Sequence, residues 1–133
     1  MYYYFAYGSN LNKQQMSLRC PGATPITAAV LRDYKLSERQ FADIDKSPGN
    51  AVSGGLWLIT AADLRALDCY EGYPRFYTRY PVHVKLFDGS TIEAIVYEMT
   101  AEAKASRNGQ RYSPGYRQTC RSGAAAFRIA SEF

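Results

Sequence analysis

The stretch FYTRYPVHVKLFDGSTIEAIVYE, running from Phe76 to Glu98, decides the architecture. In an extended chain successive side chains point to opposite faces, so Tyr80, Val82, Val84 and Leu86 share one face and Arg79, His83 and Lys85 the other. Asp88-Gly89 supplies a turn. From Thr91 to Glu98 the chain returns with Ile92, Ala94, Val96 and Glu98 opposing Glu93, Ile95 and Tyr97. Two alternating runs joined across Asp-Gly form a β-hairpin.

Upstream of this hairpin, Thr60 is placed to cap a helix with Asp63 at the third helical position, and Leu64 and Leu67 supply its apolar stripe. The helix ends near Tyr70 or Glu71, before Gly72, and Pro74 forbids much continuation. Val52 to Ile59 forms a strand in which Gly54-Gly55 marks a bulge or a close backbone approach. Pro25 to Glu38 makes another strand, and Asp43 to Asn50 reads as a loop. At the N-terminus, Tyr2 to Ala6 is a short buried strand. Asn10 then caps a helix that must stop before Pro21-Gly22. Ser113-Pro114-Gly115-Tyr116 opens a last helix reaching Ala126, with Pro114 at an early helical position. Five or six mostly antiparallel strands and three short helices predict an α+β fold, a small mixed sheet curling towards a β-barrel.

The chain of 133 residues suits a single domain spanning 1–133, and 47% hydrophobic with 21% charged residues is an ordinary globular balance. No apolar run approaches the roughly 20 residues of a membrane span, and Met1 to Phe5 lacks a basic leader, so a cytoplasmic location without membrane attachment is expected. Cys20, Cys69 and Cys120 are too few and too scattered for a disulfide framework or a zinc site, and are read as free thiols. Residues 1–100 balance their charges. The net charge of +4 therefore arises in residues 101–133. This basic tail lacks the dense stripe and interleaved aromatics of a nucleic-acid surface, and no such partner is expected.

Glu71 stands out as a carboxylate in an unfavourable place. Leu64, Leu67 and Glu71 are spaced i, i+3, i+7 and so share the buried face of their helix. Glu71 also lies in the last turn, where the helix dipole disfavours an anion. Both effects raise a carboxyl pKa towards the range useful for general acid/base work, unless the helix end frays and leaves Glu71 solvated. Tyr7-Gly8-Ser9-Asn10-Leu11 is the second candidate. It joins a buried strand to a helix start, where unpaired amides hold a carboxylate or a developing oxyanion. The alternative is an ordinary strand-to-helix turn, which favours the same residues.

YFAYGSNL (Tyr4–Leu11), LDCYEG (Leu67–Gly72), Tyr77 and SPGY (Ser113–Tyr116), in this order, resemble the gamma-glutamyl cyclotransferase superfamily over about residues 2–125. The resemblance implies a barrel-like α+β fold and an enzyme of no cofactor and no metal. Such an enzyme cleaves a gamma-glutamyl amide by intramolecular attack of the α-amine, releasing 5-oxoproline and an amine or amino acid. It assigns Glu71 as the acid/base and Tyr7, Gly8, Ser9, Asn10 and Leu11 as the substrate-holding loop. Tyr116 corresponds to a substrate-contacting tyrosine, and Tyr77 to an aromatic residue facing the pocket. The short link Gly72–Phe76 resembles the branch acting on gamma-glutamylamines, whereas YGSNL and SPGY resemble the branch acting on gamma-glutamyl amino acids. Both branches stay open, as does a monomer or homodimer. A non-catalytic ligand-binding domain of the same fold and an interaction module using the basic tail are the alternatives. His83 is expected to face solvent and Asp68 to be exposed. Cys69 has no histidine partner nearby in sequence that would make it a nucleophile.

Overall fold

The computed structural model describes all residues from Met1 to Phe133. Five strands close into a barrel in the order β1-β3-β2-β4-β5, comprising β1 (Tyr2–Ala6), β2 (Thr24–Arg39), β3 (Phe41–Ile59), β4 (Tyr77–Leu86) and β5 (Thr91–Met99). All neighbours pair antiparallel except β1 and β5, whose parallel contact at Tyr4 and Ile95 closes the barrel. The hairpin read from Phe76–Glu98 forms as β4 and β5, in a register from Tyr77 opposite Met99 to Lys85 opposite Thr91.

Alternation along β1 divides the interior into two cores. Phe5 and Tyr7 join Leu31, Ile44, Leu56, Val84 and Val96 inside the barrel. Tyr4 and Ala6 join Leu11, Met16, Ile59 and Leu67 in a layer that the helices cover. The helices are α1 (Lys13–Arg19), α2 (Ala61–Glu71), α3 (Ala101–Arg107) and α4 (Pro114–Ala126). None is long and apolar enough to cross a membrane. Helix α2 has the capping box expected of Thr60 and Asp63, and it ends on Gly72 in the left-handed conformation at φ 69°. Ser113 caps α4, with Pro114 in its first turn.

Three expectations are corrected. Asp43–Asn50 is not a loop: β3 runs through it. Its polar residues alternate with apolar ones, so Ala42 and Ile44 enter the barrel core. Asp43 is fully buried, paired with Arg39 at 2.7 Å and Lys104 at 3.1 Å. The turn-forming Ser47, Pro48, Gly49 and Asn50 are accommodated as an excursion opposite Asp33, between the pairs Tyr34–Lys46 and Arg32–Ala51. The cap of α1 is Asn12, whose side chain accepts from the Gln15 amide, because Ser9–Leu11 forms a separate 3₁₀ turn. Helix α3, capped by Thr100, is an additional fourth helix. The basic tail is tied to the rest of the fold. Lys104 pairs with Asp43, Asp45 and Glu98, and Arg117 pairs with Glu38. Phe127 packs edge-on against Trp57.

Gly54 and Gly55 mark close approach. A Cβ on Gly54 would lie 2.4 Å from the Ala6 carbonyl oxygen, and one on Gly55 would lie 2.7 Å from the Phe127 ring. The irregularities of pairing lie elsewhere, at Ile26 of β2 and where Ser47–Asn50 of β3 face Asp33.

Candidate active site

The end of β1, the 3₁₀ turn after it, the start of β3, the end of α2 and the N-terminal part of α4 converge on one cavity of about 360 Å³. Its wall includes Tyr7, Gly8, Ser9, Asn10, Glu71, Tyr77 and Tyr116, so seven of the eight residues singled out from sequence meet there. Leu11 does not line it. Its side chain, 1% exposed, turns into the outer core, and its backbone packs close to Gly123 of α4. An apolar residue inside a turn has more to gain in that core than in a polar cradle.

Glu71 is the last residue of α2 and is half-buried. Burial pushes its carboxyl from the ordinary value of 4.5 up to about 7, and the guanidinium of Arg19 opposes that rise. The alternative of a frayed end does not occur, because the Gly72 amide and the Tyr73 amide cap the carbonyls of Asp68 and Cys69. Asn10 holds the carboxylate from the other side, its Nδ2 lying 3.4 Å from Oε1 of Glu71 and 3.0 Å from the Tyr4 hydroxyl. Asn10 is itself held by Arg19, which donates to its Oδ1 and, at 3.4 Å, to the Ser9 hydroxyl. The Arg19 guanidinium stacks 3.5 Å over the Tyr70 ring. This Tyr70–Arg19–Asn10–Glu71 chain was missed at sequence level because its members lie on three separate elements.

Gly8 sits at φ −125°, so no left-handed conformation requires glycine here. Space does, since a Cβ would fall 2.9 Å from the Tyr116 hydroxyl and 3.0 Å from the Ala42 Cβ. The Leu11 amide bonds to the Gly8 carbonyl at 3.1 Å, while the amides of Gly8, Ser9 and Asn10 have no partner within the chain. Those three are the donors available to an anionic group.

Tyr77 and Tyr116 grip the backbone of Ala42 from two sides. The Tyr77 hydroxyl donates to the Ala42 carbonyl at 2.8 Å, and the Tyr116 hydroxyl accepts from the Ala42 amide at 2.9 Å. Tyr77 therefore retains acceptor capacity towards the cavity, and the proton of Tyr116 is not committed to Ala42. Burial, before any neighbouring charge, raises the pKa values of Tyr4, Tyr7, Tyr77 and Tyr116 well above the ordinary range. All four stay neutral at physiological pH. Further wall is built by Tyr4, Phe41, Phe76, Tyr97 and Arg107, whose convergence depends on barrel closure rather than on local pattern.

Asp68 is not exposed as expected. It receives a bidentate pair from Arg79 at 2.8 and 3.1 Å and the Tyr97 hydroxyl at 2.6 Å, so it ties α2 to β4 and β5. His83 faces solvent, and Cys20, Cys69 and Cys120 are free. Cys69 is exposed and does not line the cavity.

A single protonatable carboxyl, unpaired amides beside it and neutral tyrosines around it make up an acid/base site for a small polar substrate. The chain belongs to the family described as gamma-glutamyl cyclotransferase, AIG2-like, whose model matches residues 4–117. The gamma-glutamylcyclotransferase of Mus musculus is 31% identical over 98% of this chain and 73% of its own length. That of Bos taurus is 34% identical over 73% of this chain, and the match spans 58% of the bovine protein. A solved structure of a gamma-glutamyl cyclotransferase is 31% identical and superposes with a TM-score of 0.80, covering 94% of this chain and 79% of that one. A Homo sapiens protein of known crystal structure, loc79017, is 31% identical and gives a TM-score of 0.85 over 98% of this chain and 82% of that one.

Proposed function

We propose that this protein converts a gamma-glutamyl amide into 5-oxoproline and a free amine or amino acid, with Glu71 as the general acid/base. The observation that carries this reading is the Glu71 carboxyl with its pKa at about 7, in the same cavity as the free amides of Gly8, Ser9 and Asn10. Family membership supports it.

The substrate's α-ammonium group is not a nucleophile until it loses a proton, and the Glu71 carboxylate takes that proton. The amine nitrogen then attacks the gamma-carbonyl carbon, forming the ring C–N bond and a tetrahedral oxyanion. The amides of Gly8, Ser9 and Asn10 stabilise this anion or anchor the substrate carboxylate, and one such oxyanion donor is worth about 2.7–4 kcal/mol in other enzymes. When the amide C–N bond breaks, the departing nitrogen takes this proton from Glu71, and the carboxylate then removes the second proton from the attacking nitrogen and passes it to the departing amine, so that the ring keeps one N–H, the amine leaves as an ammonium and Glu71 returns to the carboxylate. No proton is gained or lost overall. A pKa near neutrality suits both steps, because the group must accept and donate with similar ease. The Tyr77 hydroxyl accepts from the substrate ammonium and Tyr116 donates to a substrate oxygen, so that they set the attack geometry. The site binds small molecules, and the protein works in the cytoplasm as a monomer or homodimer.

The test is 5-oxoproline release from L-gamma-glutamyl-L-alanine by the wild type and by Glu71→Gln. The wild type is expected to turn over and the variant to lose at least about a hundredfold in kcat with little change in ligand affinity. Equal release by both proteins would overturn the assignment. A variant that binds substrate normally while the wild type also fails to convert it favours the non-catalytic ligand-binding domain.

A further inference from the structure

Glu71 and Arg107 are the two formally charged residues of the cavity wall. Glu71 lies against Asn10 and Tyr4, whereas Arg107 stands beside Phe76, its guanidinium 5.0 Å from the ring centroid. Arg107 and Phe76 also border a shallower groove whose other walls are Arg75, Glu102, Ala103 and Ser106. Neither Glu71 nor any residue of the Gly8–Asn10 turn touches that groove. Arg107 therefore marks the mouth of the cavity, away from the acid/base end.

This guanidinium has no counter-charge. Every ion pair in the chain is made by Arg39, Arg79, Lys104 or Arg117, and Glu102 in the adjoining groove is not paired with Arg107. Its position is nonetheless set. Arg107 donates to Oε1 of Gln40, and Gln40 is fixed at the β2–β3 tip by a bond from its amide to the Gln110 carbonyl at 2.7 Å. The aromatic face of Phe76 supports the guanidinium plane. An oriented, unpaired guanidinium at a cavity mouth is a carboxylate receptor, since its planar fork matches two carboxylate oxygens.

We propose that Arg107 recognises the carboxylate of the leaving group, so that the preferred substrates are gamma-glutamyl amino acids rather than gamma-glutamylamines. The assignment rests on the cyclisation reading above for its chemistry. It separates the two ends of the substrate: the reacting glutamyl part lies with Glu71, and the departing amino acid lies with its carboxylate on Arg107. A neutral amine leaving group finds no partner there and leaves the guanidinium unsatisfied. This specificity residue lies on α3 and is independent of the motifs that place the glutamyl part.

L-gamma-glutamyl-L-alanine and L-gamma-glutamyl-ethylamide differ at the carboxylate and serve as the probe pair. Their dissociation constants are measured in a Glu71→Gln background, with and without Arg107→Gln, and their kcat/KM values in proteins retaining Glu71. With Arg107 present, the dipeptide is expected to bind about tenfold more tightly than the ethylamide, as for a charge-assisted bond at a partly exposed site. Arg107→Gln should erase that preference and leave ethylamide binding unchanged, and Arg107→Lys should restore part of it. Equal weakening of both probes would overturn the proposal, because it places the glutamyl carboxylate on Arg107 or makes the residue structural. An unaltered preference would overturn it as well. A preference that vanishes as predicted in binding, with no 5-oxoproline formed by the wild type, sinks the cyclisation reading and leaves the recognition intact.

Discussion

Replacing Glu71 by Gln should stabilise the protein above neutral pH while removing its activity. The folded carboxyl has a pKa of about 7 against an ordinary 4.5, a displacement that burial causes. A folded-state pKa above the unfolded one means that the folded protein holds more protons between these values, so stability falls as pH rises from 4.5 through 7. At about 1.4 kcal/mol per pH unit, the buried carboxylate costs about 3 kcal/mol of stability by pH 8. Gln cannot ionise. The variant should therefore match the wild type near pH 4 and exceed it by up to about 3 kcal/mol at pH 8, or about 10 °C in melting temperature for a chain of this size. Thermal or urea unfolding of both proteins at the two pH values provides the measurement. Taking the difference between variants cancels the other carboxylates, including the Asp43–Asp45 cluster. A gap that stays the same at both pH values, or a wild type that is the more stable at pH 8, would refute the reasoning. The stabilisation and the loss of turnover then have one origin, a desolvated acid kept for function at the expense of the fold.

Arg19 opposes the rise in the Glu71 pKa, so Arg19→Met should push that pKa above 7 and move the acid limb of kcat/KM to higher pH, with Arg19→Lys closer to the wild type. A pH–rate series on the three proteins checks this. Ending the chain after Ala126 removes Phe127, 8% exposed against Trp57, and should destabilise the protein by about 3 kcal/mol in urea unfolding. Unchanged stability would show that the residues after Ala126 add nothing to the core.

The parts of the fold that were legible in the sequence are those whose signals are local. Thr60, Asp63 and Gly72 bound α2 by side-chain and backbone bonds within a few residues, and the same holds for Ser113-Pro114 at α4. The β4–β5 hairpin needs only alternation and a turn. What escaped depends on distant partners. Asp43 and Asp45 look like loop residues until Lys104 of α3 joins Arg39 of the neighbouring strand in neutralising them. Asp68 looks exposed until Arg79 and Tyr97 arrive from the hairpin. In the site, Glu71 was legible because its helix spacing and its place in the last turn are both local facts. Arg19 and Arg107 were not, since their roles come from the company of Asn10, Tyr70, Phe76 and Gln40. Leu11 shows the converse error, a motif position that serves the core.

The most direct test is the pH dependence of kcat/KM for 5-oxoproline release from L-gamma-glutamyl-L-alanine. An acid limb that falls about tenfold per pH unit below an apparent pKa near 7 is expected. A profile that stays flat from pH 8 down to pH 5 would contradict the claim that the buried carboxyl of Glu71 takes the proton that starts ring closure.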